Sequence, residues 1–100
     1  MRIIKRSSLA AFWQINPDAE QPLRAWYAVA KRANWRSSVE VKEIYRSASI
    51  VGSERVVFDI GGNEFRLVVA IKYSAGIVFV KFVGRHTDYD RIDAAHVDLY

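Results

Sequence analysis

The segment Phe82–Asp93, with the sequence FVGRHTDYDRID, places acid–base side chains directly after the last hydrophobic run of the chain. His86 can exchange a proton near neutral pH, and Tyr89 or the carboxylate of Asp90 can share that work. Arginine binds phosphate through its planar guanidinium. These residue types suit cleavage of RNA through its own 2′-hydroxyl, which needs a base, an acid and a cation beside the phosphorane.

The same segment also fits a solvated exit from a β-sheet. A single histidine after a strand is commonly a surface residue, and the ring of Tyr89 can pack on the sheet edge. The neighbouring aspartates can cap a terminal turn or pair with Arg85 and Arg91. His96 lies in a loose tail and is expected to take no part. The residues alone leave both interpretations open.

The composition is typical of one small domain. The chain has 100 residues, of which 51% are hydrophobic and 13% aromatic. This supplies enough apolar surface for one core, but the length is too short for two domains. We therefore expect residues 1–100 to form a single domain.

The absence of cysteine excludes disulfides and thiolate metal sites, and it fits a reducing cytoplasm. The two histidines show no spacing typical of metal ligands, so we expect neither a metal nor another cofactor. The basic N-terminal segment has an apolar stretch too short for a signal peptide or a membrane span. A net charge of +4 favours a polyanionic or an acidic partner.

Apolar residues in the first half of the chain have helical spacing. The segment MRIIK predicts a short strand, after which Ser7 or Ser8 is expected to cap a helix. Pro17 ends that helix, because proline disfavours helical backbone in the residue before it. Two further helices are predicted in AEQPLRAWYAVAKRA and SSVEVKEIY. Their apolar stripes are expected to be buried.

The second half alternates between apolar and polar residues. It predicts a three-stranded antiparallel meander with the strands ERVVFDI, EFRLVVAIKY and IVFVKFV. The turn Gly61-Gly62-Asn63 supplies the residues that a hairpin needs. The predicted fold is therefore α+β, with N-terminal helices packed on one face of a small sheet. If Ser74-Ala75 form a two-residue turn, Arg66 lies opposite Val83.

On that register the two faces of the sheet differ in character. The face expected beneath the helices carries Phe65, Leu67, Val69, Ile71, Val78, Val80 and Phe82. The other face mixes apolar residues with the cations Arg55, Arg66, Lys72 and Lys81. Such a surface suits a phosphate-bearing ligand whose bases can stack. It equally fits an exposed face whose basic side chains keep the sheet soluble.

Three segments resemble the HigB-type toxins of bacterial type II toxin–antitoxin systems, which belong to the RelE/ParE-like superfamily. They are AEQPLRAWY, YRSASIVGSERVVFDIGGNEFRLVVAIKY and GIVFVKFVGRHTDYDRID. The resemblance runs from about Met1 to Asp93. It implies a RelE-like fold, with helices on one face of an antiparallel sheet of mixed strand order. It also implies an endoribonuclease that cuts mRNA on the ribosome and is neutralised by a HigA-type helix-turn-helix antitoxin.

The resemblance also implies roles for individual residues. Arg66 matches the arginine on the sheet face, and His86 matches the C-terminal histidine, with Tyr89 and Asp90 beside it. The division between base and acid does not carry over. We expect the RNA backbone to be held by Arg55, Lys72, Lys81 and Arg85. Two other functions stay open, a ParE-like gyrase poison and a non-catalytic RNA-binding module.

Overall fold

Helices fill the first half of the chain and strands fill most of the second. The computed structural model describes all residues, Met1–Tyr100. Its elements are β1 (Arg2–Ile4), α1 (Arg6–Ile15), α2 (Glu20–Arg32), α3 (Ser38–Ile44), β2 (Ser49–Val51), β3 (Arg55–Ile60), β4 (Phe65–Lys72), β5 (Ile77–Arg85) and α4 (His86–Tyr89). Short 3-10 turns span Pro17–Ala19 and Tyr73–Ala75. None of the helices has the length and apolar character of a membrane span.

The five strands form one mixed sheet in the order β1-β5-β4-β3-β2. Strands β2 to β5 are antiparallel neighbours, whereas β1 lies at the edge and runs parallel to β5. This arrangement confirms the predicted α+β class. The sequence pattern does not predict β2, because its three residues are too few to show an alternation.

The first three helices cover one face of the sheet and enclose the main core. Trp26 of α2 meets Phe58 of β3 edge to face, with ring centroids 5.4 Å apart. Trp35 and Tyr45 contact the same phenylalanine. The predicted apolar stripes are therefore largely confirmed as core. Ile44, at the end of α3, is the exception, because it is exposed.

The first helix begins earlier than the sequence predicts. Lys5 occupies the N-cap position, and neither Ser7 nor Ser8 does so. Only one residue separates β1 from α1, so the chain turns into the helix before either serine is reached, and Ser8 is buried inside the helix. The predicted stop at Pro17 is confirmed, since α1 ends at Ile15.

A β-bulge in β5 changes the register predicted for the last hairpin. Pairing from Lys72 with Ile77 to Val69 with Val80 follows the prediction. The next pair joins Val68 to Phe82, so Lys81 is an extra residue without a partner on β4. Arg66 therefore lies opposite Gly84, and the predicted pairing with Val83 is wrong.

The bulge also exchanges the faces of the residues that follow it. Phe82 lies on the sheet face turned away from the helices, in a small apolar cluster with Val57 and Val68. Val83 joins the main core instead. The prediction that Phe82 lies beneath the helices is wrong, because one extra residue reverses the alternation beyond Lys81. We call the face that carries Arg55, Phe82 and this cluster the outer face.

Gly84 leaves room for the ring of Phe82. A Cβ atom built on Gly84 would lie 2.6 Å from Cζ of Phe82, well inside van der Waals contact. The ring therefore lies over the backbone of the glycine that pairs with Arg66. The position needs a residue without a side chain because an aromatic ring fills the space.

We predict that Gly84→Ala lowers the free energy of unfolding by about 1–3 kcal/mol, because the Phe82 ring must leave its place. Urea unfolding measures this change. In a Phe82→Leu background the same substitution should cost less, since no ring then lies over residue 84. An equal cost in both backgrounds would contradict this explanation.

Candidate functional site

His86, Tyr89 and Asp90 lie on one helical turn at the end of β5. The amide of Asp90 donates a hydrogen bond to the carbonyl of His86 at 3.1 Å. Residues spaced i, i+3 and i+4 share one side of a turn, so these three side chains are neighbours. His86 and Asp90 are exposed. The structure thus brings together the three predicted acid–base residues.

Tyr89 holds this turn against the outer face. Its ring centroid lies 6.5 Å from that of Phe82, with a 50° angle between the ring planes. The amide of His86 donates a hydrogen bond to the carbonyl of Glu64 at 3.1 Å. The turn is therefore held at three places. The chain joins it to β5, a hydrogen bond joins it to Glu64 just before β4, and the contact between Tyr89 and Phe82 joins it to the outer face.

Arg66 occupies the same end of the outer face. Its Nε lies 3.1 Å from Oδ1 of Asp59, and its Nη1 donates to the carbonyls of Asn63 and Phe65, each at 3.1 Å. These contacts do not use Nη2, which keeps two donors. Its partner across the ladder is Gly84, two residues before the start of α4. The guanidinium and the His86 turn are therefore at one end of the sheet.

Arg55, Lys72 and Lys81 lie toward the opposite end. Together with the ring of Phe79 they line a cleft of about 570 Å³ on the outer face. Six positions along β4 separate Arg66 from Lys72, a span of about 20 Å at 3.3–3.4 Å per residue. The predicted residues thus form two groups on one face, the acid–base turn with Arg66 and a cationic cleft.

Arg85 is separate from both groups. It pairs with Phe65, and its guanidinium lies 5.1 Å from the centroid of that ring. The side chain contacts Glu64 at 2.8 Å and Asp18 at 3.5 Å. Asp18 belongs to the turn between α1 and α2, so this guanidinium lies on the helix side of the sheet edge. The structure does not bring Arg85 together with the other three predicted cations.

Residues 93–100, which we call the tail, cross the outer face. Ala94 and Val97, with Ile92 just before the tail, pack against the cluster around Phe82. Nη1 of Arg55 donates to the carbonyls of Ala94 and Val97 at 3.1 Å and 2.6 Å. Sequence reasoning misses this placement, because the apolar residues in AAHVDLY show no strand or helix period.

The end of the tail is attached to the bulge. Nζ of Lys81 lies 3.0 Å from Oδ1 of Asp98, and the amide of Leu99 donates to the carbonyl of Lys81 at 3.1 Å. Burial raises the pKa of the Tyr100 hydroxyl, and a hydrogen bond with the backbone of Val83 acts in the opposite direction. The tail therefore continues alongside β5 beyond the point where β1 ends.

His96 forms a local pair within the tail. Its Nδ1 lies 2.7 Å from Oδ2 of Asp93. This hydrogen bond is the main cause that lowers the pKa of Asp93, and the amide of Ala95 adds a second hydrogen bond at 3.0 Å. Nowhere do three or more His, Asp or Glu side chains converge in a group that could hold a metal ion.

Comparison with known families identifies the chain. The family model of HigB toxins, described as the RelE-like toxic component of a toxin-antitoxin system, matches residues 19–92. The chain belongs to the HigB toxin family. No curated protein matches it. Membership confirms the resemblance and the RelE-like fold, and it makes an antitoxin the partner of this toxin.

The match covers every predicted site residue of this HigB toxin, from Arg55 to Asp90, whereas the whole tail lies outside it. The acid–base turn, Arg66 and the cationic cleft thus belong to the family domain. The contacts from Ala94 to Tyr100 are made by residues beyond the matched segment.

We predict that Asp59 and Arg66 are energetically coupled. A double-mutant cycle with Asp59→Ala and Arg66→Ala should give a coupling of about 0.5–1 kcal/mol in the free energy of unfolding, because both side chains are mostly buried. The exposed pair of Glu20 and Arg24 is the matched control and should give less. Additive effects for Asp59 and Arg66 would show that the carboxylate does not hold the guanidinium.

Proposed function

We propose that this HigB-family toxin is an mRNA endoribonuclease that cuts messages on the ribosome and thereby inhibits translation. The supporting observation is that Arg66 lies at the same end of the outer face as the turn with His86, Tyr89 and Asp90. Residues 1–100 act as one toxin domain in the cytoplasm. The chemistry is acid–base catalysis without a metal ion.

Arg66 binds the scissile phosphate. Attack by the 2′-oxygen on phosphorus adds negative charge to the phosphate oxygens, and a guanidinium beside them stabilises that charge. Asp59 and two backbone carbonyls fix Nε and Nη1 before RNA arrives, while Nη2 is left to donate to the phosphate. A cation already held in place needs little reorganisation during the reaction.

His86 carries out one of the two proton transfers, since imidazole exchanges protons near neutral pH. Tyr89 or Asp90, on the same side of the turn, carries out the other. One group removes the proton of the 2′-hydroxyl as the new P–O2′ bond forms. The other protonates the 5′-oxygen as the P–O5′ bond breaks. The products are a 2′,3′-cyclic phosphate and a 5′-hydroxyl end.

The cleft binds the RNA backbone some distance from the scissile bond. Arg55, Lys72 and Lys81 supply the positive charge, and the ring of Phe79 offers a surface for a base. Arg85 contacts only RNA that passes the edge of the sheet, because its guanidinium lies on the helix side. The antitoxin partner is of the HigA type, with a helix-turn-helix domain.

We predict that His86→Ala and Arg66→Ala abolish growth arrest when the toxin is expressed in bacteria. Wild-type toxin should arrest growth and create new 5′ ends in cellular mRNA, which sequencing of transcript ends detects. His96→Ala and Arg46→Ala are matched controls that should keep the toxicity, because neither residue belongs to the proposed site. Circular dichroism and antitoxin binding verify that each variant folds.

Each other result has a distinct meaning. Equal arrest by wild type and both site variants would show that the assigned residues are wrong. Arrest without new 5′ ends, accompanied by broken DNA, would indicate a gyrase poison of the ParE kind. Full activity of His86→Ala together with loss of activity when Lys72 and Lys81 are removed would indicate a non-catalytic RNA-binding module.

We predict that Lys72→Ala weakens RNA binding and makes it less sensitive to salt. Loss of one phosphate contact on a single strand should reduce the slope of log K against log[salt] by about 0.7. The probe is a fluorescent RNA with methylated 2′-hydroxyls, which binds but cannot be cleaved. Lys42→Ala, an exposed lysine on α3, is the control. An unchanged slope for Lys72→Ala would remove this lysine from the interface.

A further inference from the structure

The tail engages the groups that the proposed function assigns to RNA. Arg55 directs its Nη1 donors to two tail carbonyls, and Lys81 directs its ammonium group to the carboxylate of Asp98. Of the three cations in the cleft, only Lys72 makes no ion pair or hydrogen bond through its side chain, and it is exposed. A backbone phosphate can reach Arg55 and Lys81 fully only if the tail moves.

The tail offers the cations the kind of partner that a nucleic acid offers. Carbonyl and carboxylate oxygens meet guanidinium and ammonium groups at hydrogen-bonding distance, as phosphate oxygens would. A phosphate is the stronger partner for arginine, because it brings a full charge and suits the guanidinium fork. The exchange of tail for RNA therefore replaces the neutral carbonyl partners of Arg55 with a charged phosphate, and it replaces the carboxylate partner of Lys81 with another anion.

The end of the tail is weakly attached. The side chain of Asp98 is 57% exposed, although that of Lys81 is 19% exposed, so their ion pair is partly solvated and modest in strength. Leu99 is 63% exposed and buries little apolar surface, whereas Tyr100 is 46% exposed and buries about half of its surface. The firm apolar contacts with the Phe82 cluster belong to Tyr89, Ile92, Ala94 and Val97. Detachment of Asp98–Tyr100 frees Lys81 and leaves these apolar contacts intact, whereas release of Arg55 also requires Ala94 and Val97 to leave the Phe82 cluster.

We propose that the tail is an intramolecular competitor of RNA, which the RNA backbone must displace from Arg55 and Lys81 in order to bind. The inference rests on the proposed function, because it assigns the same cleft to RNA. It adds a regulatory element that lies outside the segment matched by the HigB family. The tail lowers the affinity of the free toxin for RNA without touching Arg66.

Displacement can be observed directly by NMR. Full-length, isotope-labelled toxin is titrated with the single-stranded RNA that carries methylated 2′-hydroxyls. The amide signals of Ala95–Tyr100 should sharpen and move to positions typical of a disordered chain, and the Leu99 amide should lose its protection from hydrogen exchange. If RNA binds and these signals do not change, the proposal is wrong. The tail then only covers the Phe82 cluster.

A charge substitution tests the competition by affinity. Asp98→Lys removes the ion pair with Lys81 but keeps every apolar contact of Val97, so the chain should fold normally. We expect it to bind the same RNA about three- to tenfold more tightly than wild type. Glu43→Lys, on the exposed surface of α3, adds the same charge away from the cleft and should improve binding much less.

The two proposals fail in different ways. Equal affinities for Asp98→Lys and Glu43→Lys would overturn the competition while leaving RNA binding intact. If neither wild type nor Asp98→Lys binds RNA at low salt, the proposed function itself is wrong, and the competition falls with it. Both proposals are supported if the NMR signals show that RNA releases the tail and if Asp98→Lys, but not Glu43→Lys, binds RNA more tightly than wild type.

Discussion

The β-bulge at Lys81 determines which side chains lie on the outer face of the sheet. In a regular ladder Phe82 would lie beneath the helices and Val83 would take its place outside. The bulge instead puts Phe82 outside, where its ring lies over Gly84 and contacts Tyr89. The position of the acid–base turn therefore depends on one irregular step in the pairing of β4 with β5. Bulges are known to redirect side chains beside functional sites.

The two ends of the outer face hold their cations in different ways. Arg66 is fixed by Asp59 and by two carbonyls of its own strand end, and most of its side chain is buried. Arg55 and Lys81 are bound by the tail, a segment with weakly attached terminal residues. A fixed cation suits stabilisation of a transition state, whereas cations with exchangeable partners suit binding and release of a long polyanion. Under the proposed function, chemistry and RNA binding thus take place at opposite ends of the outer face.

The sequence predicts the fold class well but does not predict the β-bulge in β5. Helical spacing identifies the buried stripes, and Pro17 identifies the end of α1. In IVFVKFV every residue except the lysine is apolar, so both registers look alike, and the position of the bulge carries no signal in the pattern. Because the bulge is missed, the predicted sheet face is wrong for the residues of β5 that follow it, including Phe82 and Arg85. His86 and Arg66 are proposed from the chemistry of their side chains, and the family resemblance favours that interpretation over a solvated strand end.

The bulge also positions one of the residues that bind the tail. Because Lys81 has no partner on β4, the ladder is interrupted there, and this is the residue that meets the tail twice. Its ammonium group pairs with Asp98, and its carbonyl accepts the amide of Leu99. Without the bulge Arg85 would lie on the outer face and Phe82 would no longer support the Tyr89 turn. The position of the acid–base turn and the contact of the tail with Lys81 consequently depend on the same local backbone geometry.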